Sequence, residues 1–308
     1  MPLKKTGILA EFMRRADVRS RCRRYWRTRR LARATGPFVY RLGGDPAICD
    51  PGVLDSVNAY LGVPTDFWER RIFHAWLRPG DCVIDAGANF GLFTWTAAAL
   101  VERSGKVIAV EPTPRLAEHL RRGSTVLGGA PIEVRQTALG RAAGRARFAF
   151  AREGDTAVSQ SLVASSAPEG TETVAEVEVV SLQQLMPPNA RPALVKVDVE
   201  GAEFDALRGA PAEWLTDKGP LWVVECQPET LQRFGCTADD VAGMFPTDCF
   251  HCLVIAKFAA EGGGDLAPVP LDEVDWPKAK YWNLVAVPKG PDQESRREVL
   301  RRFFPTIL

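Results

Sequence analysis

The chain has 308 residues, of which 46% are hydrophobic and 25% are charged, a composition ordinary for a soluble globular protein. A chain of this length buries enough apolar surface to fold without disulfides or structural metals, as one large domain with appendages or as two small domains. The net charge of +1 is unevenly distributed, because residues 1–33 hold 12 of the 39 basic residues and only two of the 38 acidic ones. The remaining 27 basic and 36 acidic residues give the body a net charge of −9, so we interpret the chain as a basic arm on a mildly acidic body.

Cysteine usage and apolar patterning indicate a compartment. The seven cysteines are irregularly spaced, which argues against a disulfide framework and favours a reducing cytoplasm. No apolar run approaches the roughly 18 residues that span a bilayer. The N-terminal charges are not followed by an apolar segment, so we expect neither a transmembrane segment nor a secretory signal.

Elements of several kinds are predicted before residue 81. In chain order they are a helix over 8–33, a hairpin over 38–49 around Gly43-Gly44-Asp45, and two helices over 53–61 and 65–78. We assign residues 1–64 to a basic N-terminal extension made of a helix and a hairpin.

From residue 81 onward, short apolar runs alternate with helical segments. The predicted strands of this region are 82–86, 106–110, 132–135, 193–199 and 221–225, with closing strands at 250–257 and 284–287. The predicted helices are 90–103, 114–127 and one near 202–209. Such alternation indicates βαβ units, so we predict a Rossmann-like α/β domain with a mostly parallel seven-stranded sheet and helices on both faces. Three short strands at 145–150, 158–163 and 174–180 predict a small antiparallel insertion, and residues 259–268 predict a flexible loop.

A glycine turn between the first strand and the first helix of this sheet is the first candidate site. The turn runs Asp85-Ala86-Gly87-Ala88-Asn89-Phe90-Gly91, and its glycines let the chain turn sharply and a ligand approach the backbone. In open α/β sheets, ligands bind at the carboxyl ends of the strands, where the strand order reverses. We therefore predict a nucleotide site here. The simpler alternative is that the glycines only form a tight turn.

Acidic residues near the turn indicate which nucleotide it binds. Glu111 ends the second strand, one predicted helix and one predicted strand beyond Gly91, where a carboxylate can accept hydrogen bonds from ribose hydroxyls. A dinucleotide site needs a G-x-G-x-x-G pattern that faces a pyrophosphate. Here the spacing is Gly87-x-x-x-Gly91, and Asp85 would repel a pyrophosphate but suits the cationic amino-acid end of S-adenosylmethionine. The pattern therefore favours methyl transfer over hydride transfer.

The segment 193–203 places charges on a strand that is predicted to be buried. Lys196, Asp198 and Glu200 alternate with valines, and such charges are costly unless they are paired or used. At the carboxyl end of the strand, Asp198 and Glu200 could orient or deprotonate an acceptor hydroxyl, and Lys196 could pair with them. Glu225 ends the fifth strand and should face the same cleft. We predict these four as catalytic residues. The alternatives are a structural ion cluster and, for Glu225, a solvated strand end.

Together these segments resemble the FkbM family of methyltransferases. Members of that family carry a D-x-G-A-N-x-G turn, an acid-Pro pair after the second strand, an A-L-G step after the third strand and a K-x-D-x-E-G-x-E run. The chain supplies all four in order, as Asp85–Gly91, Glu111-Pro112, Ala138-Leu139-Gly140 and Lys196–Glu203. The likeness covers about residues 65–290, which we take as the methyltransferase domain, with 291–308 as a C-terminal helical tail.

The resemblance implies a class I methyltransferase fold with S-adenosylmethionine as donor. It also implies transfer to a hydroxyl oxygen of a sugar or another secondary metabolite. By matching position it implies that Asp85, Gly87, Asn89 and Glu111 contact the cofactor, with Thr137 and Ala138 beside the adenine. We also predict as cofactor-binding residues Ala88, Phe90, Gly91, Pro112 and Asp198. The N-terminal extension, 1–64, lies outside the likeness.

Two other functions stay open. The basic arm could dock a nucleic acid or, weakly, an anionic membrane surface, which would favour a nucleic-acid methyltransferase. The chain lacks a recognised nucleic-acid module, which counts against a nucleic-acid partner and favours a small-molecule or glycan acceptor. A non-catalytic cofactor-binding partner of a biosynthetic complex is the third reading. A divalent ion held by acids at the strand ends is conceivable, but no ligand spacing demands it, so we predict no metal. The sequence does not predict the oligomeric state.

Overall fold

The computed structural model describes residues 23–62, 66–150, 161–162, 173–258, 269–271 and 279–304. Most of the predicted N-terminal helix and the predicted loop at 259–268 lie outside these residues. None of the helices in the described ranges is both long enough and apolar enough to cross a membrane.

The described part of the chain alternates strands and helices in the order that the sequence predicts. The strands are β1 (Phe38–Leu42), β2 (Asp45–Cys49), β3 (Cys82–Ala86), β4 (Lys106–Val110), β5 (Ile132–Arg135), β6 (Ala138–Leu139), β7 (Gly144–Phe150), β8 (Ser161–Leu162), β9 (Thr173–Val180), β10 (Leu194–Val197), β11 (Leu221–Cys226), β12 (Phe250–Phe258), β13 (Val269–Pro270) and β14 (Ala279–Pro288). The helices are α1 (23–31), α2 (Leu54–Leu61), α3 (Phe67–Trp76), α4 (Leu92–Val101), α5 (Pro114–Val126), α6 (Glu203–Arg208), α7 (Pro228–Arg233), α8 (Ala238–Ala242) and α9 (Glu294–Arg301).

The central sheet has the order β13-β12-β14-β11-β10-β3-β4-β5. Strands β11, β10, β3, β4 and β5 pair in parallel, and β14 and β12 close the sheet in antiparallel orientation. The prediction of a mostly parallel seven-stranded sheet is confirmed, and the two-residue strand β13 extends its edge. From β3 the chain runs outward to β5 and then returns to β10, so the strand order reverses between β3 and β10. That reversal opens a crevice at their carboxyl ends.

Successive side chains along the central strands point to opposite faces of the sheet, so each face has its own apolar cluster. Val83 packs in the cluster that contains α3 and α4, whereas Ile84 packs in the cluster that contains α6 and α8. On β10, Val195 and Val197 pack in the cluster that contains α6 and α8. Lys196 therefore lies on the opposite face, towards α4, with its ammonium 5.0 Å from the centre of the Phe93 ring. This register brings Lys196 level with Asp85 on β3.

The predicted antiparallel insertion between the third and fourth parallel strands is also present. Strands β9, β7 and β8 pair in antiparallel orientation, and the short strand β6 adds to β9 in parallel. Apolar residues of this four-stranded sheet form their own cluster around Phe148 and Val177. Part of the predicted strand at 158–163 lies outside the described residues.

The predicted hairpin is confirmed as β1 and β2, and ion pairs fix it to the body. Asp45 accepts hydrogen bonds from Arg70 and from His74, both on α3. Asp50 contacts the buried ring of His119 on α5 at 3.2 Å. The second nitrogen of that ring lies 3.2 Å from the carbonyl oxygen of Phe90 in the glycine turn. The N-terminal hairpin is therefore linked to the backbone of the predicted nucleotide site.

Candidate active site

A cavity of about 340 Å³ lies at the carboxyl ends of the parallel strands, where the strand order reverses. Its volume is in the range of small-molecule sites. Its lining residues come from the ends of β4 and β11, from the turns after β3, β4, β5, β10 and β11, from α5, from the start of α3 and from the insertion. They are Asp66, Gly87, Asn89, Val110, Glu111, Pro112, Leu116, Thr137, Ala138, Leu139, Phe148, Asp198, Val199, Glu200, Glu225 and Gln227.

The turn after β3 needs glycine for a steric reason. Gly87 has a φ of +74°, and a Cβ built on it would lie 1.7 Å from the carbonyl oxygen of Asp198. Gly87 and Ala88 donate their N–H groups to the carbonyl oxygen of Val110, at 2.9 and 3.1 Å. Asn89 and Gly91 also have positive φ values, of 48° and 87°, so the predicted helix at 90–103 begins only at Leu92. The turn is packed directly against the ends of both neighbouring strands.

Glu111 is the carboxylate that organises the edge of the cavity after β4. Its Oε2 accepts the N–H of Asn89 at 2.9 Å, and its Oε1 accepts the N–H of Thr113 at 2.9 Å. The residue is only 5% exposed, and burial raises the pKa of its carboxyl although these hydrogen bonds lower it. Each carboxylate oxygen has a second lone pair, so Glu111 can still accept hydrogen bonds from a ligand in the cavity.

Asp85 and Lys196 form a buried charge pair below the cavity. The Oδ2 atom of Asp85 accepts the hydroxyl of Thr94 at 2.6 Å, and its Oδ1 lies 3.9 Å from the ammonium of Lys196. Lys196 also donates to the Oδ2 of Asp198 at 2.9 Å. Burial lowers the pKa of Lys196, but the two carboxylates more than offset this and raise it, so the side chain stays protonated. Lys196 therefore connects the strand that carries the glycine turn to the acid that faces the cavity.

Three acids meet on the other side of the cavity. One carboxylate oxygen each of Asp198, Glu200 and Glu225 lies within 4.8 Å of the others. Asp198 directly follows β10, Glu225 lies near the end of the neighbouring strand β11, and Glu200 lies in the turn after β10. Burial and the charges of Asp198 and Glu200 raise the pKa of Glu225 well above its ordinary value. We call this group of three acids the acidic triad.

Glu203 stabilises the loop that carries Glu200. Its carboxylate accepts the N–H groups of Val199 and Gly201 at distances between 2.9 and 3.1 Å. Glu200 and Gly201 have φ values of 58° and 110°, so the strand predicted over 193–199 ends at Val197. Burial raises the pKa of Glu203 to about 7.

The structure brings most of the predicted site residues to one cavity. The predicted residues that line it are Gly87, Asn89, Glu111, Pro112, Thr137, Ala138, Asp198, Glu200 and Glu225. The predicted residues that do not line it are Asp85, Ala88, Phe90, Gly91 and Lys196. In the second group, Ala88 donates its N–H to Val110 and Lys196 donates to Asp198, so both contact residues of the wall. The functional roles assigned to both groups stay predictions.

Sequence reasoning did not anticipate several lining residues. Phe148 reaches the cavity from β7 of the insertion, and Asp66 reaches it from the start of α3. Gln227 follows Glu225 and Cys226 at the end of β11. Phe148 carried no local signal, since it lies in an ordinary apolar strand. Asp66 could have been suspected as an acid just before an amphipathic helix.

Comparison with known protein families identifies the family of this chain. The model of the methyltransferase FkbM domain matches residues 85–246, which is more than half of the chain. The matched range contains the glycine turn, Glu111 and the whole acidic triad. No curated protein matches the chain.

Solved structures of several methyltransferases have similar folds. A methyltransferase FkbM from Methylobacillus flagellatus KT is 15% identical, with 75% of this chain and 52% of that chain covered and a TM-score of 0.40. A putative rRNA-methylase from Clostridium thermocellum is 9% identical, with coverages of 74% and 98% and a TM-score of 0.42. A SAM-dependent O-methyltransferase from Thermotoga maritima is 13% identical, with coverages of 81% and 77% and a TM-score of 0.37. This chain spans about half the length of the first of these proteins.

The family match and the site geometry concern the same residues. The match begins at Asp85, the first residue of the glycine turn, and extends beyond the acid at the end of β11. The chain belongs to the FkbM methyltransferase domain family.

Proposed function

We propose that this methyltransferase uses S-adenosylmethionine to methylate a hydroxyl oxygen of a sugar or another secondary metabolite. One observation carries the proposal: a single cavity joins the glycine turn and Glu111 on one side to the acidic triad on the other. The first side suits a nucleoside with a cationic amino-acid tail, and the second suits a weakly acidic hydroxyl. We also propose residues 65–290 as the catalytic domain, residues 1–64 as an extension that contributes to acceptor choice, and residues 291–308 as a C-terminal helical tail.

The residues present fit the methyl donor. The Thr137 hydroxyl oxygen is buried, lines the cavity and has no hydrogen-bond partner among the described residues, so it is available to a ligand. The remaining lone pairs of Glu111 suit two ribose hydroxyls, and Asn89 lies beside them. No side chain obstructs the cavity at Gly87. We therefore expect Thr137 and Ala138 to lie beside the adenine base of the donor and Glu111 to bind its ribose. We expect Asp85 to lie near its cationic amino-acid end.

The donor, when bound, supplies a methyl group already activated by a sulfonium. The task left to the protein is to hold the acceptor oxygen in line with the carbon–sulfur bond, and such orientation supplies on the order of 7–11 kcal/mol. The bound donor would supply the methyl carbon and keep the electrons of its carbon–sulfur bond, so the acceptor would have to lose its hydroxyl proton to a group of the protein. Asp198 or Glu200 takes that proton, with Lys196 holding the carboxylate of Asp198 in place. General-base help of this kind contributes about 10²–10⁴-fold to the rate.

Calorimetric titration tests the donor. Full-length protein should bind S-adenosylhomocysteine and should not bind NAD. Tight binding of NAD without binding of S-adenosylhomocysteine would refute the proposal.

Radiolabelled methyl transfer tests the acceptor class. The protein is incubated with a cell extract and methyl-labelled donor, and the label in the small-molecule, nucleic-acid and protein fractions is compared. We expect alkali-stable label in the small-molecule fraction, since a methyl ether resists base whereas a methyl ester releases methanol. Asp198→Asn should lower this transfer by about 10²–10⁴-fold. The matched control, Asp205→Asn, removes the same charge from an exposed position on α6 and should leave the transfer unchanged.

One observation favours a second candidate, which is methylation of a nucleic acid. Helix α1 carries arginines around Tyr25 and Trp26, which are 54% and 64% exposed. Exposed aromatic side chains beside arginines can stack bases of single strands. This alternative predicts salt-sensitive RNA binding that is lost in Trp26→Ala, together with label in the nucleic-acid fraction. Label in the small-molecule fraction alone would exclude it.

A further inference from the structure

The carbonyl oxygen of Phe90 in the glycine turn has two buried rings as hydrogen-bond partners. The indole N–H of Trp95 donates to it at 3.1 Å, and Nε2 of His119 lies 3.2 Å from it. The preceding residue, Asn89, has a φ of +48°, and a non-glycine residue keeps such a conformation only where its surroundings fix it. Glu111 fixes the N–H of Asn89, and the two rings fix the carbonyl of Phe90.

The other ring nitrogen of His119 faces a second acceptor. Its Nδ1 lies 3.2 Å from the Oδ2 of Asp50. A carbonyl oxygen and an ionised carboxylate can only accept hydrogen bonds, and a neutral imidazole has only one N–H to donate. A neutral ring would therefore direct a lone pair at one of the two oxygens, whereas an imidazolium donates to both. Since His119 is only 2% exposed, water does not replace either partner, and the contacts indicate a ring protonated on both nitrogens.

Hydrogen bonds in the loop after β2 orient Asp50 towards the ring. The Oδ1 of Asp50 accepts the N–H of Gly52 at 2.8 Å, which leaves its Oδ2 for His119. The buried hydroxyl of Ser56 accepts the N–H of Asp50 at 2.9 Å. A buried cation needs a paired anion of this kind. Asp50 lies in the N-terminal extension, outside residues 85–246 that the family model matches.

The charged groups around the ring leave Asp50 as its partner. Helix α4, which meets the ring through Trp95, contains no charged residue. The thiol of Cys49 beside Asp50 stays neutral, because burial raises its pKa to about 11. The other charged side chains of α5 are exposed and are Arg115, Glu118, Arg121 and Arg122. Of these, Arg115 lies beside the loop that carries Asp50.

We propose that His119, protonated on both ring nitrogens, is a positioning residue that holds the glycine turn in its donor-binding conformation, and that Asp50 keeps it protonated. The turn contributes Gly87 and Asn89 to the cavity, so a change at the Phe90 carbonyl would displace this part of the wall. When the ring loses a proton, one of its two hydrogen bonds is lost. Donor affinity should therefore fall as the pH rises. This effect on the donor rests on the proposed function, whereas the double protonation of His119 does not.

Nitrogen NMR tests the protonation state of the ring. Full-length protein labelled with ¹⁵N in its histidines contains three imidazoles, those of His74, His119 and His251, and the spectrum of His119→Gln identifies the signals of His119. We expect both of its nitrogens to resonate as protonated nitrogens at neutral pH. Asp50→Asn should lower the pH at which the ring loses a proton, because an opposite charge favours the charged form. A neutral tautomer of His119 in the wild type at neutral pH would overturn the inference.

Calorimetric titration of S-adenosylhomocysteine, over the pH range in which histidine titrates, tests the positioning role. Asp50→Asn should bind roughly tenfold more weakly at neutral pH, and its loss of affinity should begin at lower pH than in the wild type. Asp55→Asn, at an exposed position on α2, removes the same charge from the extension and should bind as the wild type does. Glu203, with a pKa of about 7, adds its own pH dependence. The contribution of His119 is therefore the part of the profile that His119→Gln removes.

The two measurements separate the possible failures. If the wild type does not bind S-adenosylhomocysteine at any pH, the proposed function fails, and the donor part of this inference fails with it. If the wild type binds it with a pH profile that Asp50→Asn and His119→Gln leave unchanged, the positioning role is refuted and the proposed function stands. Should Asp50→Asn lose its native circular dichroism, Asp50→Ser takes its place with the same shift expected, because a serine hydroxyl can still accept the N–H of Gly52.

Discussion

Replacing Gly87 by alanine tests whether the glycine turn is set by close packing against β10. An alanine at a φ of +74° is strained by roughly 1–2 kcal/mol in any surroundings. The added Cβ would also lie 1.7 Å from the carbonyl oxygen of Asp198, whereas a carbon–oxygen contact is normally about 3.3 Å. The two strand ends must therefore separate by roughly 1.6 Å, or the turn must change its conformation.

The steric part of the cost can be isolated with a matched control. Gly80 has a φ of +90°, and a Cβ on it would meet nothing nearer than the Ser104 hydroxyl at 3.8 Å. Gly80→Ala should therefore show the backbone strain alone. Gly87→Ala should show an additional 1–3 kcal/mol, roughly, which is typical of overpacking. Each kcal/mol lowers the melting temperature of a chain of this size by about 2–4 °C.

The assay combines urea unfolding with calorimetric titration of S-adenosylhomocysteine. We expect Gly87→Ala to be less stable than Gly80→Ala and to lose affinity for S-adenosylhomocysteine, whereas Gly80→Ala retains it. Because the clash moves the Asp198 backbone, the distances within the acidic triad should change as well. Equal stability of the two variants, with equal ligand binding, would refute the packing argument.

Three further predictions concern buried polar groups. Thr94→Val removes the hydroxyl that donates to the buried carboxylate of Asp85 and should cost about 1–3 kcal/mol in urea unfolding, whereas the exposed Thr125→Val should be nearly neutral. The pKa of Glu203 in the folded protein, about 7, lies above its ordinary value of 4.5, so between these pH values the native state binds a proton that the unfolded state does not. The unfolding free energy should therefore fall by up to about 3 kcal/mol as the pH rises from 4.5 to 7. Glu203→Gln should flatten this fall, and an unchanged slope would contradict the assignment. Burial raises the pKa of Asp45, but its hydrogen-bond partners Arg70 and His74 more than offset this and hold the pKa below 3.8. The stability that the ionised Asp45 contributes is therefore lost as the pH falls below that value. Asp45→Asn should make thermal melts between pH 4 and 2 less sensitive to acid, and equal sensitivity of the two proteins would contradict this.

The order of elements and the position of the cavity followed from local patterns in the sequence. Period-two alternation and short apolar runs indicated the strands, because side chains on a strand must alternate between faces whatever the wider fold. The glycines at 87 and 91 and the acid at 111 marked the nucleotide side, since turn geometry and a strand-end carboxylate are encoded within one short stretch of the chain. The predicted end of the strand β10 was less accurate than the predicted order of the elements. The predicted strand at 193–199 ended early because Glu203 draws the backbone of residues 199 and 201 into a turn.

The sequence by itself determined the fold class, the family and several lining residues on both sides of the cavity. Only the tertiary structure decided that Asp85 and Lys196 do not line the cavity and that Phe148 of the insertion and Asp66 at the start of α3 do. It also decided that the carboxylates of Asp198 and Glu225 meet, although helix α6 separates them along the chain. The physical reason is that contacts between strands depend on sheet order and register, and these are set by the packing of both faces of the sheet rather than by neighbouring residues.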